Sequence, residues 1–261
     1  RYFILFFSLL FSLTFNATAS NFNYATGFAA INEMSSKALI NAMERVDDRI
    51  YAVGEHGIII YSDDLGDNWI QSESVPFTNT LTDIDCISKE ECWATGHDAT
   101  ILHSNNGGKS WAKQYEDIDF DAPLLSIHMY ESGEGIAIGA FALSLRTTDG
   151  GQSWGYLFMD DDDFQPHFNY AYGDTQAWRK SSANEAYAVG EIGKYYISDD
   201  KGLNWLVVST GYDGSYWSGI KVDDGKSLLL GMSGNLTLIT RYGPEDIVPP
   251  EKFTSIACYE A

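Results

Sequence analysis

Residues 50–69 read IYAVGEHGIIIYSDDLGDNW, and the chain repeats that pattern three more times. Residues 92–111 read CWATGHDATILHSNNGGKSW, residues 135–154 read GIAIGAFALSLRTTDGGQSW, and residues 186–205 read AYAVGEIGKYYISDDKGLNW. Each copy has an apolar run ending in Gly, a three-residue turn and a second apolar run. A Ser/Thr-x-Asp/Asn-x-Gly-x-x-Trp box follows. The run-ending glycines Gly54, Gly96, Gly139 and Gly190 are spaced 42, 43 and 51 apart, and Trp69, Trp111, Trp154 and Trp205 keep the same three spacings. Two landmarks holding one period mark an internal repeat. A fifth unit, SLLLGMSGNLTLITRYG at 227–243, places Gly231 41 residues after Gly190. Its box has decayed: Ile239, Arg241 and Asp246 stand where Ser, Asp and Trp belong, and only Gly243 survives.

A period near 42 with short apolar runs predicts four strands per unit, the signature of an all-β propeller built from four-stranded blades. In the first unit the strands are expected at 38–44, 50–54, 58–62 and from Trp69 onward. The box then forms the hairpin between strands three and four. Its structural residues are Ser62, Asp64, Gly66 and Trp69; Ser104, Asn106, Gly108 and Trp111; Thr147, Asp149, Gly151 and Trp154; and Ser198, Asp200, Gly202 and Trp205. The Asp or Asn accepts backbone N–H bonds, the Gly takes a conformation other residues resist, and the Trp packs between sheets. The propeller is expected over 36–261, with units near 36–78, 79–121, 122–169, 170–215 and 216–252 and a partial unit at 253–261.

The ends of the chain and its cysteines add a compartment. Arg1 precedes an apolar run, and Ala17-Thr18-Ala19 offers a small-x-small cleavage site, so 1–19 reads as a secretory signal peptide and 20–35 as an N-terminal segment. The run is too short for a stable membrane span. Export to the periplasm or outside the cell is the expected localisation. Cys86 and Cys92 flank the turn-like Ile87-Ser88-Lys89-Glu90-Glu91 and suit a disulfide across a hairpin. Cys258 lies 172 residues after Cys86, four periods of 43, and is expected to open another blade of the cysteine-bearing type. The reading is therefore five blades plus the start of a sixth, with the sequence cut short at its C-terminus. With 37 acidic against 16 basic residues, the net charge of −21 argues against nucleic acid and anionic lipid as partners.

Boxes of this form are the Asp-box, or bacterial neuraminidase repeat. The fuller unit AVGEHGIIIYSDDLGDNW resembles the photosystem II stability and assembly factor family, and more closely its exported bacterial homologues outside photosynthesis. The matching stretches include GHDATILHSNNGGKSW, Asp163-x-x-x-His167-Phe168-Asn169 and GEIGKYYISDDKGLNW followed by GYDGSYW. The resemblance implies a seven-bladed propeller that acts as an assembly or scaffold protein without catalysis.

Two functions follow from different classes. As a binding scaffold, the protein would use the rim that carries the turns between strands two and three together with the blade connections. The residues expected there are Glu55, His56, His97, Asp98, Phe141, Asp163, His167 and Glu191, facing an unknown protein partner. As a carbohydrate-active propeller, a sialidase-like glycoside hydrolase or glycan-binding module, it would need three converging arginines, a Tyr–Glu pair and an acid. Its arginines are scattered at 1, 45, 49, 146, 179 and 241, so the non-enzymatic reading is preferred. No cofactor and no catalytic or metal-ligating constellation is expected. The run Asp160-Asp161-Asp162-Asp163 reads as a solvated acidic loop and is the place where a weakly held calcium ion would sit.

Overall fold

Short runs rich in β-branched and aromatic residues, punctuated by Gly and Asp, pair locally into antiparallel sheets. The computed structural model describes residues 27–157, 168–173, 184–223, 226–240 and 242–247. They form five four-stranded sheets, each an up-and-down meander. Blade I holds β1 (Ile40–Val46), β2 (Arg49–Gly54), β3 (Ile59–Ser62) and β4 (Ile70–Gln71). Blade II holds β5 (Leu81–Cys86), β6 (Cys92–Gly96), β7 (Ile101–Ser104) and β8 (Ala112–Tyr115). Blade III holds β9 (Leu124–Met129), β10 (Gly135–Gly139), β11 (Ser144–Thr147) and β12 (Gly155–Tyr156). Blade IV holds β13 (Phe168–Gly173), β14 (Ala186–Gly190), β15 (Lys194–Ser198) and β16 (Leu206–Ser209). Blade V holds β17 (Tyr216–Asp223), β18 (Lys226–Gly231), β19 (Leu236–Thr240) and β20 (Gly243–Ile247).

The first strands line up on one another: β1 packs on β5, β5 on β9, β9 on β13 and β13 on β17. No comparable packing of β17 on β1 is found among the described residues. Apolar clusters fill the space between successive blades. Tyr51, Val53 and Ile59 meet Leu81, Ala94 and Trp111 between blades I and II. Trp93 and Ile101 meet Leu124, Leu145 and Trp154 between II and III. Ile136 and Ile138 meet Phe168, Tyr196 and Trp205 between III and IV, and Tyr195 meets Tyr216 and Leu229 between IV and V. The box tryptophans Trp111, Trp154 and Trp205 therefore each wedge between their own blade and the one before, while Trp93 faces the blade after its own. Trp69 packs instead on Ala52, Ile58 and Ile60 of its own blade. Full burial of each large side chain contributes roughly 1.5–3 kcal/mol.

A bulge recurs at the same place in every first strand. The register slips between Ile40 and Ala42, Leu81 and Asp83, Phe168 and Tyr170, and Tyr216 and Ser218, and opposite Ile138/Gly139 in blade III. The extra residue reaches the next blade: Asn41 Nδ2 donates to the Leu81 carbonyl at 2.7 Å, and Thr82 Oγ1 to the Leu124 carbonyl at 2.5 Å. The bulge also presses backbone against the end of the second strand. A Cβ on Gly54 would sit 2.0 Å from the Leu39 carbonyl oxygen, and one on Gly139 2.1 Å from that of Pro123. The repeating run-end Gly is thus a demand of close approach.

Blade V keeps four strands without a box. Thr240 pairs directly with Gly243, so a tight turn replaces the longer box loop, and the loss of its Ser, Asp and Trp leaves the hairpin intact. Cys86 and Cys92 are a register pair of β5 and β6, joined as a disulfide with Cα atoms 4.1 Å apart. Cys258 lies outside the described residues. Among the described residues no helix is long and apolar enough to cross a membrane.

Candidate functional site

Every turn from second to third strand is built alike. Glycine at the strand end donates across the turn: Gly54 N–H to the Ile58 carbonyl at 3.0 Å, Gly96 to Thr100 at 3.1 Å, Gly139 to Leu143 at 2.8 Å and Gly231 to Asn235 at 2.8 Å. Two consecutive residues then take left-handed backbone: His56 and Gly57, Asp98 and Ala99, Phe141 and Ala142, Ile192 and Gly193, Ser233 and Gly234. That geometry turns an N–H toward the connection leading to the next blade. Gly57 donates to Asn79 at 2.7 Å, Ala99 to Ala122 at 2.8 Å and Gly193 to Gly214 at 2.9 Å. Turns and connections are thereby fixed on one rim.

The rim carries Glu55, His56, His97, Asp98, Phe141 and Glu191 on four successive blades. Their environments differ. The Glu55 carboxylate accepts the Leu39 N–H at 3.0 Å and lies 4.0 Å from His56 Nε2. Asp98 accepts from Asn79 Nδ2 at 3.4 Å, while its carbonyl takes the Asp117 N–H at 3.0 Å. His97 is exposed, Glu191 is half-buried, and Phe141 is 52% exposed. Asp163, His167 and the whole Asp160–Asp163 run lie outside the described residues. Ile192 and Met232, 47% and 44% exposed, occupy the same turns in blades IV and V and belong on this rim.

The opposite rim holds the boxes, whose polar groups satisfy one another. Ser62 Oγ accepts the Gly66 N–H at 2.8 Å and donates to Asp64 at 2.8 Å. Asp64 then accepts the Asn68 N–H at 2.8 Å and its side-chain amide at 2.6 Å. The same bonds recur with Thr147, Asp149 and Ser153 and with Ser198, Asp200 and Asn204. In blade II Ser104 and Asn106 accept the same backbone N–H bonds, but the Asn106 amide donates to the Ser110 hydroxyl at 2.7 Å. The residue before each Trp is therefore part of the box. Asn68 and Ser153 hold the carboxyls of Asp64 and Asp149 below the usual carboxylate range. Arg49 ties the rim across blades, pairing with Asp63 at 2.6 Å and donating to the Gly107 carbonyl at 2.8 Å.

One polar cluster escaped sequence reasoning. Asp83 and Asp85 alternate along β5 and cap the free edge of β9. Asp83 accepts the Ser126 hydroxyl at 2.7 Å and the Ile127 N–H at 2.9 Å, and Asp85 accepts the Met129 N–H at 2.5 Å. Burial pushes both acids up to about 7. His128 Nδ1 lies 3.7 Å from Asp85, its ring meets Tyr130 edge-on, and burial pushes it down to about 4. Among the described residues no group of three or more His, Cys, Asp or Glu is arranged to hold a metal ion. Arg45 and Arg146 sit in separate blades: Arg45 bonds the carbonyl of its neighbour Asp47, and Arg146 reaches the Lys201 carbonyl. Arg241 lies outside the described residues.

Four-stranded blades closed by interlocking Asp-box turns define the class of Asp-box proteins with propeller-type blades. Within it, the profile of the family described as Photosynthesis system II assembly factor YCF48 matches residues 70–248, and the chain belongs to that family. Among solved structures, it is similar to one titled YCF48 bound to D1 peptide, at 16% identity and a TM-score of 0.59, over 80% of this chain and 66% of that one. It is also similar to YCF48 from Cyanidioschyzon merolae, at 13% identity and a TM-score of 0.59, over 85% of this chain and 71% of that one. An ancestral GH74 enzyme shares the blade arrangement at 13% identity and a TM-score of 0.66, over 80% of this chain but 31% of the enzyme. No curated protein matches the chain. At these identities the structural likeness is one of fold.

Proposed function

We propose that the protein is a non-catalytic, exported scaffold that docks a partner polypeptide on its turn rim, in the manner of an assembly or stability factor. The observation that carries this reading is the division of the two rims. The Ser/Thr and Asp/Asn side chains of the boxes bond within their own turns, while the turns on the other rim present chemically different side chains from a common backbone frame. A disulfide fits an oxidising compartment, and a structural relative is titled as bound to a peptide. The reading takes the five blades as members of a closed wheel. Support for the absence of catalysis is the scatter of the arginines that a sialidase would gather.

The test replaces Glu55, His97, Phe141 and Glu191 together and compares capture of the native partner from the extracytoplasmic fraction. The expected result is loss of capture with unchanged melting temperature. Undiminished capture defeats the reading, and turnover of a fluorogenic glycoside panel would overturn its non-catalytic part.

A further inference from the structure

Three turns of this rim carry a large apolar residue: Phe141, Ile192 and Met232. Phe141 and Ile192 take φ of 54° and 53°, a conformation that Gly and Asn favour and that suits β-branched Ile poorly. Both are half exposed, as is Met232 in the corresponding turn of the next blade. They put one exposed apolar side chain on each of three consecutive blades, III, IV and V.

Acids flank this apolar track. Asp98 lies in the turn of blade II, exposed Asp119 and Asp121 lie in the connection from β8 to β9, and exposed Asp213 lies in that from β16 to β17. Among the described turn and connection residues of this rim, Lys37 is the one Lys or Arg, with Lys194 following at the start of β15. Such a field attracts cations and repels phosphates, anionic lipid and acidic peptides. Separated apolar anchors among acids match a chain that alternates apolar and positive side chains.

Resting on the docking reading, we propose that the partner segment is a cationic polypeptide stretch whose Lys or Arg residues alternate with apolar ones. Its apolar side chains meet Phe141, Ile192 and Met232, and its cations meet the flanking acids. An extended strand suits this arrangement because alternate residues address the two kinds of contact.

The probes are three labelled twelve-residue peptides, alternating Lys with Leu, Glu with Leu, and Lys with Gly, titrated against the full chain by fluorescence anisotropy. The Lys-Leu peptide should bind about tenfold tighter than either other peptide, and its affinity should fall as salt rises. Phe141→Asn with Ile192→Asn should bring it down to the Lys-Gly level. Asn accepts left-handed backbone, so this variant should melt no lower than the parent. Asp67→Asn with Asp199→Asn, on the box rim, should change nothing. Equal binding of the Lys-Leu and Glu-Leu peptides, or undiminished Lys-Leu binding by the Asn variant, overturns the inference. If the peptides show no preference but the fourfold variant still loses its native partner, this inference falls while the docking reading stands. If the fourfold variant keeps its partner, the docking reading itself falls.

Discussion

Gly54 and Gly66 both mark the repeat, yet a methyl group at each would break a different thing. At Gly54 the added Cβ meets backbone, 2.0 Å from the Leu39 carbonyl oxygen, and neither strand can move without opening the bulge. At Gly66 the nearest atom is a Trp69 ring carbon at 3.7 Å, and the cost is conformational, since φ is +96°. Gly54→Ala should therefore lose about 3 kcal/mol or more, and Gly66→Ala about 1–2 kcal/mol, read as shifts in urea midpoint. Equal losses would remove the bulge as the reason for the strand-end glycine. At this scale the box residues were legible in the sequence because Ser, Asp and Gly all act inside one turn. Asp83 and Asp85 were not, because the groups they bond lie 43 and 44 residues away on the next blade.

The same divide runs through the elements. The second and third strands could be read because each is an apolar run bounded by Gly and the box. The first strand of blade I was expected at 38–44 and lies at Ile40–Val46, since its frame is set by a bulge that answers to neighbouring blades. Blade V was legible through the spacing of Gly231, although its box is gone; a hairpin survives because β19 and β20 pair down to their turn. Blade II alone adds a covalent tie, between Cys86 and Cys92 at the closed end of β5 and β6. That loop is short, so in the chain-entropy view the tie restrains the unfolded state by about 2 kcal/mol. Cys86→Ser with Cys92→Ser should lower stability by about that amount, and reductant should lower the parent to the same level while leaving the variant unmoved. A variant as stable as the oxidised parent would show that β5–β6 pairing holds without it.

Across the whole molecule, pH should act through groups with opposing signs. Asp83 and Asp85 sit near 7 in the fold, so between about pH 4 and 7 the folded chain keeps protons that the unfolded chain has released. Their contribution is full on the acid side and drains away as pH rises through 7. His128, held near 4, works in reverse: from its ordinary value of 6.5 downward, the unfolded chain takes a proton that the fold does not. Two acids against one histidine leave the fold about one proton ahead, which is about 1.4 kcal/mol per pH unit before discounting for water. Some discount is due, because Asp85 keeps 19% of its side-chain surface. The net charge of −21 adds to the same slope, since protonation relieves self-repulsion. Below about pH 4 the sign changes, as Asp64 and Asp149 lose the bonds that hold them ionised. Melting temperature should therefore peak near about pH 4 and fall toward pH 8. Asp83→Asn with Asp85→Asn should flatten the limb between pH 5 and 7. Added salt should raise the melting temperature at pH 8 by screening, yet leave most of that limb in place, because buried groups are screened little. A melting temperature that climbs from pH 5 to 8, or a limb unchanged in the double variant, would show that the β5–β9 seam does not govern the response.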